Sequence, residues 1–124
     1  MEKTFAIDFD GVIHAYSRGW QASGDIYDKP IPGAREAMAN LVSQGFQVAI
    51  LTARLNPKFD DAPEQKKKII TWLAENEFAE GVHYHEVTNN KPSAIAYIDD
   101  RAVRFTNWDQ TNEVLHDLVN KGGY

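Results

Sequence analysis

Short apolar runs alternate with helix-period segments along this chain, and that alternation restricts the fold more than any other feature. Thr4-Phe5-Ala6-Ile7, Phe46 to Leu51, His83 to Val87 and Ala94 to Ile98 read as strands. Ala34, Ala37, Met38 and Leu41 repeat at helical spacing. Ile69, Ile70, Trp72 and Leu73 form a second such set, expected to face inward, and Val114, Leu115, Leu118 and Val119 a third. Strands alternating with helices imply a parallel sheet covered on both faces. The expected fold is α/β: a single Rossmann-like, three-layer α/β/α domain over residues 1–124 with a central parallel sheet. A chain of 124 residues suits one domain.

Local signals set the boundaries. Pro32 suits a first helical turn and Gly45 the cap after the last. Asp61-Ala62-Pro63-Glu64 is similar to a capping box and opens a helix through about Asn76. Ala102 to Phe105 is expected to be a short fifth strand. Asn107 is expected to cap a final helix that Gly122-Gly123 stops. Residues 13–31, punctuated by Gly19, Gly24 and Pro30, read as an irregular flap.

The polar residues at the strand ends carry the chemistry. Asp8-Phe9-Asp10-Gly11-Val12 stands where the first strand ends. Strand residues alternate faces, so Asp8 and Asp10 point one way and Phe9 the other. Asp-Gly after a strand is also a common turn. Two like charges held close, however, call for a divalent cation or a proton that one of them carries. Gly11 allows a sharp turn where a side chain would crowd the site. Parallel sheets place their sites at the carboxyl ends of the strands. The second strand ends in Thr52, the fourth in Asp99-Asp100, and Lys91 lies just before the fourth. Four carboxylates, a hydroxyl and an ammonium are thus expected at one sheet edge.

Composition narrows the classes. The chain is 43% hydrophobic with three Trp, five Tyr and six Phe, enough for a core. It has no cysteine, which excludes disulfides, thiolate ligands and Cys nucleophiles. With no signal-peptide pattern and no apolar run near the roughly 20 residues of a membrane helix, a cytoplasmic protein without membrane contact is expected. The net charge of −5 disfavours broad nucleic-acid binding.

The strand-end set resembles the haloacid dehalogenase superfamily, whose members are mostly phosphatases. Asp8-Phe9-Asp10-Gly11-Val12 matches its first motif, with Val12 where Thr is commoner. Leu51-Thr52 matches the second, Lys91 the third and Ile98-Asp99-Asp100 the fourth. Larger members insert a cap domain. Here residues 13–31 suffice only for a flap, and residues 55–90 are taken up by a helix and a strand, so the chain resembles a minimal, capless member. The resemblance implies a Mg²⁺-dependent phosphatase acting through an aspartyl-phosphate. It makes Asp8 the nucleophile and Asp10 the proton carrier. Asp8, the backbone carbonyl of Asp10, and Asp99 would hold Mg²⁺, with Asp100 direct or through water. Thr52 and Lys91 would hold the phosphoryl oxygens.

Other residues are read from the chain alone. Arg54 either touches substrate or pairs with a nearby acid, and Arg101 is a weaker candidate of the same kind. His14, His83, His85 and His116 show no metal-ligand spacing. His83 and His85 share a face if they lie in a strand. Lys66-Lys67-Lys68 reads as a solvated helix face. Tyr16, Trp20 and Tyr27 either cover a ligand or anchor the flap. A polynucleotide end phosphatase would use Trp20, Arg54 and the lysine run, against the net charge. Nucleic acid enters the expectation only as an end-phosphorylated substrate. A signalling receiver domain fits poorly, because its motifs come in another order. A non-catalytic phospholigand-binding module is the remaining alternative. The oligomeric state is left open.

Overall fold

The computed structural model describes residues 3–122. Four strands form one all-parallel sheet: β1 (Thr4–Asp8), β2 (Gln47–Leu51), β3 (Glu86–Thr88) and β4 (Ala96–Ile98), in the order β3-β2-β1-β4. The helices are α1 (Ala34–Ser43), α2 (Ala62–Glu75) and α3 (Trp108–Lys121). The fold is therefore α/β and Rossmann-like. β1 occupies the interior, and the chain crosses it between β3 and β4. That reversal is the switch point at which such sheets carry their sites.

Register explains where the core sits. Phe5 pairs with Val48, Ile7 with Ile50, and Ile50 with Val87, so these apolar side chains share one face. Met38 of α1 and Ile69, Trp72 and Leu73 of α2 pack there with Ile7, Val48, Ile50 and Val87. Phe9, Ile13, Phe78 and Tyr84 complete the cluster. Both crossovers run in the same direction along the sheet, which places α1 and α2 on the same side.

Several local expectations are corrected. Pro32 and Gly33 form a turn ahead of α1 rather than its first turn. Asp61 does not cap α2 with its side chain, because its carboxylate accepts from Gln65 Nε2 at 3.0 Å instead. Ile70 faces solvent, while Ile69, Trp72 and Leu73 are buried. His83 and Tyr84 lie in a turn before β3. His83 Nδ1 accepts from the Ala79 N–H, and His85 Nδ1 from the Val48 N–H, so both rings serve backbone donors outside the strand. No fifth strand forms over 102–105; Phe105 packs edge-on against Trp108 instead, with ring centroids 5.3 Å apart. Asn107 does cap α3, its side chain accepting from the Gln110 N–H at 2.8 Å. Gly122 ends α3 in the left-handed region, and Gly123 lies outside the described residues. Thr111 is the one buried residue of α3, and Leu115, Leu118 and Val119 are exposed.

Candidate active site

β1 delivers Asp8 and then breaks. Phe9 turns into the core and is fully buried, which sends Asp8 and Asp10 to the opposite side, as strand parity requires. The Phe9 carbonyl collects the N–H groups of Ile13 and His14, and the Gly11 N–H donates to the His14 carbonyl. Gly11 sits at φ +87°, and a Cβ there would lie 2.2 Å from Asp100 Oδ2. Glycine at this position thus lets the end of β4 close on the end of β1.

That closure gathers negative charge. Asp8, Asp99 and Asp100 each present a carboxylate oxygen, all within 4.8 Å of one another. Burial, then the charges of Asp99, Asp100 and Asp10, push the Asp8 carboxyl up to about 7, against a bond from the Phe9 N–H. An all-oxygen donor set of this kind fits a hard divalent cation, which would remove the repulsion. Asp99 Oδ1 also accepts from the Arg101 N–H at 2.7 Å, which folds the loop after β4 back on itself.

Asp10 lives in a different environment. Arg54 grips it with two parallel bonds, Nε to Oδ2 at 2.7 Å and Nη2 to Oδ1 at 3.0 Å. His14 Nδ1 lies 2.9 Å from Oδ1. His14 Nε2 accepts from the Asp28 N–H, so in the neutral ring Nδ1 carries the hydrogen and donates to Asp10. Burial pushes Asp10 up, but the bonds from His14 and Arg54 outweigh it and hold the carboxyl below its usual range. Arg54 is itself buried, and its Nη1 donates to the Gly24 carbonyl and to Gln65 Oε1. One guanidinium therefore ties β1's loop, the flap and α2 together.

The two aspartates thus differ in availability. Both oxygens of Asp10 are occupied by Arg54 and His14. The Asp8 side chain accepts from the Phe9 N–H through Oδ1, and Oδ2 has no hydrogen bond within the described residues. Asp8 has the free lone pairs that a nucleophile needs.

Above them opens a cleft of about 550 Å³, lined by Asp8, Asp10, Thr52, Arg54, Asp100 and Arg101 at its polar end. Tyr16, Trp20 and Phe59 contribute aromatic walls, and Ala53, Asp61 and Gln65 complete the lining. Thr52 is buried, and its Oγ1 accepts from the Arg54 N–H, which leaves its own hydrogen free to donate into the cleft. Lys91 does not line this cleft; its ammonium sits 4.5 Å from the centroid of the Tyr97 ring.

The structure thus brings together Asp8, Asp10, Thr52, Arg54, Asp99 and Asp100, and leaves Lys91 apart. Arg54 resolves as the partner of an acid. In the sequence His14 stands out only for lacking metal-ligand spacing, and Gln65 and Phe59 carry no signal. The four-residue spacing from Asp10 to His14 was the only local sign of their bond. Gln65 and Phe59 reach the cleft through tertiary folding alone. No protein-family model matches this chain, and no curated protein matches it.

Proposed function

We propose that this protein is a phosphatase of the haloacid dehalogenase type, hydrolysing a phosphate monoester through phosphorylated Asp8 with Mg²⁺ as cofactor. The observation that carries this reading is the contrast between the two neighbouring aspartates. One sits free in a cation-seeking acidic cluster, and the other is clamped and held ionised. The raised Asp8 carboxyl favours its protonated form, and a divalent cation beside it would restore the ionised form that a nucleophile needs.

The residues divide the reaction as follows. An Asp8 oxygen attacks phosphorus, and the ester P–O bond breaks. The leaving oxygen is protonated through Asp10, which is ionised at rest and must first take that proton up from solvent. Water then attacks the phosphorus of the acyl-phosphate, Asp10 accepts its proton, and the Asp8 carboxylate is regenerated with release of phosphate. Asp10 then returns that proton to solvent, which balances the one taken up for the leaving group. Asp8, Asp99 and Asp100 would hold Mg²⁺, which would supply positive charge between the carboxylates and the phosphate. The Thr52 hydroxyl and the Arg101 side chain face the same cleft and are the donors available to phosphoryl oxygens. Holding Asp10 ionised favours the second step and makes the first sensitive to how readily the leaving group departs without a proton.

The test is hydrolysis of a small activated phosphate ester. Turnover should require a divalent cation, cease with chelator, and vanish in Asp8→Asn. Absence of turnover on every phosphate monoester tried, with metal present and the protein folded, would reject the reading and favour a phospholigand-binding module.

A further inference from the structure

We infer that the substrate is a nucleoside monophosphate, its base stacked on Trp20 and Phe59; this rests on the phosphatase reading above. The cleft joins a charged floor to an apolar mouth. Trp20 and Phe59 are 54% and 46% exposed although both line it. Exposed aromatic rings beside a polar site mark a surface that a flat apolar group covers. The Arg54 guanidinium lies 4.9 Å from the Trp20 ring centroid and also grips Asp10. Those contacts put Trp20 within about 9 Å of the Asp10 carboxylate, taking a C–N bond as ~1.3 Å. That upper bound keeps a ring stacked on Trp20 within reach of a phosphate joined to it through one sugar.

The flap holds Trp20 in place before any ligand arrives. Gln21 Nε2 donates to the Arg18 and Trp20 carbonyls, and the Tyr27 hydroxyl accepts from the Arg18 N–H and donates to the Gly19 carbonyl. Tyr16, on the wall below, is held in the left-handed region at φ 57°. A wall fixed in advance lowers the ordering cost of stacking.

Charge selects a single phosphate. Asp8, Asp10, Asp61 and Asp100 line the cleft against Arg54 and Arg101, and Arg54 is committed to Asp10. One divalent cation and Arg101 can balance one phosphate. A second phosphate would find no further uncommitted cation among the lining residues. A nucleic-acid strand fares no better. Lys66 lines a separate hollow beyond Phe59. Lys67 and Lys68 line another with Asp25 and Trp72, and the Lys68 ammonium bonds to the Ser23 carbonyl. The lysine run therefore supplies no track leading out of the cleft.

The experiment compares kcat/KM with Mg²⁺ for nucleoside 5′- and 3′-monophosphates, ribose 5-phosphate, a nucleoside triphosphate and an end-phosphorylated oligonucleotide. The monophosphates should exceed ribose 5-phosphate by tenfold or more. Trp20→Ala and Phe59→Ala should each shrink that ratio, chiefly through KM, and Trp20→Phe should restore most of it. Binding of a nucleoside monophosphate to Asp8→Asn, followed by calorimetry, should weaken in the same order. Equal rates on ribose 5-phosphate and the monophosphates would overturn the inference and leave the phosphatase reading intact. A preference for the oligonucleotide would overturn it in favour of a strand-end enzyme. No turnover of any of them would remove the phosphatase reading itself.

Discussion

Residues 13–31 contain little regular structure, whereas residues 95–121 contain a helix of 14 residues, yet the first segment is the better anchored. Ile13 and His14 are fully buried. The flap receives side-chain bonds from Arg54, Gln65, Lys68 and Trp72 through the carbonyls of Ser23, Gly24 and Asp28. In the second segment, Ile95, Tyr97, Ile98, Phe105, Trp108, Leu115, Leu118 and Val119 are all exposed. Regularity is a local property, set by spacing and caps. Anchorage depends on partners distant in sequence. An irregular loop becomes rigid when its carbonyls find donors in the core, whereas an amphipathic helix with its apolar side uncovered keeps its caps and spacing but lacks the packing that supplies most helical stability.

The sharpest way to break this contrast is Arg54→Ala. It leaves Asp10, the Gly24 carbonyl and Gln65 without their shared donor, and removing one partner of a buried ion pair costs about 3–5 kcal/mol. Urea unfolding should show that loss. A change smaller than 1 kcal/mol, on the order of a surface pair, would mean the flap is not pinned through this residue.

Two matched truncations come next. Ile13→Ala removes a fully buried side chain and should cost about 2–5 kcal/mol. Leu118→Ala removes a half-exposed one and should change stability by no more than about 0.5 kcal/mol. Similar losses for the two, measured by the same unfolding assay, would show that α3 is buried in solution against a surface it does not contact here.

A divalent cation would tie the exposed segment, which holds Asp99 and Asp100, to Asp8 at the end of β1. Asp8 is raised from 3.8 to about 7 in the folded protein without metal. Its contribution is thus fully present below the unfolded value and is lost as pH rises through about 7. Without metal, stability from this group should fall across that window. Mg²⁺ competes with the same proton, so its stabilising effect should grow from about pH 5.5 to about pH 8. Melting temperatures with and without Mg²⁺ at both pH values check the sign; a larger Mg²⁺ effect at the lower pH would contradict it.

Gly11→Ala is a smaller, local test. Its Cβ would land against Asp100, and the left-handed backbone strains any other residue, at a cost of about 1–3 kcal/mol. It should weaken Mg²⁺ binding more than it weakens the fold. Unchanged metal affinity, by calorimetry, would mean Asp100 is not a ligand.

Residue period and strand parity encode one part of this arrangement. Asp8 and Asp10 on one side, with Phe9 opposite, follow from a two-residue repeat, and Asn107 as a cap follows from residue type. The bond from Arg54 to Asp10 joins residues 44 apart, and no local pattern distinguishes it from a contact with substrate. The late start of β3 and the missing strand at 102–105 share one cause. His83 and Phe105 had better partners nearby, a backbone N–H and an indole ring, than a sheet ladder offered. Lys91 was placed by its position before β4, and position does not fix the direction of a long, exposed side chain.

Trapping the phosphoryl-enzyme tests the central claim most directly. The protein is mixed with an activated phosphate ester and Mg²⁺, quenched in acid, digested and read by mass spectrometry. The wild type should carry one phosphoryl group on Asp8, Asp10→Asn should accumulate more of it as hydrolysis stalls, and Asp8→Asn should carry none. Phosphate on Asp10, or undiminished turnover by Asp8→Asn, would contradict the account.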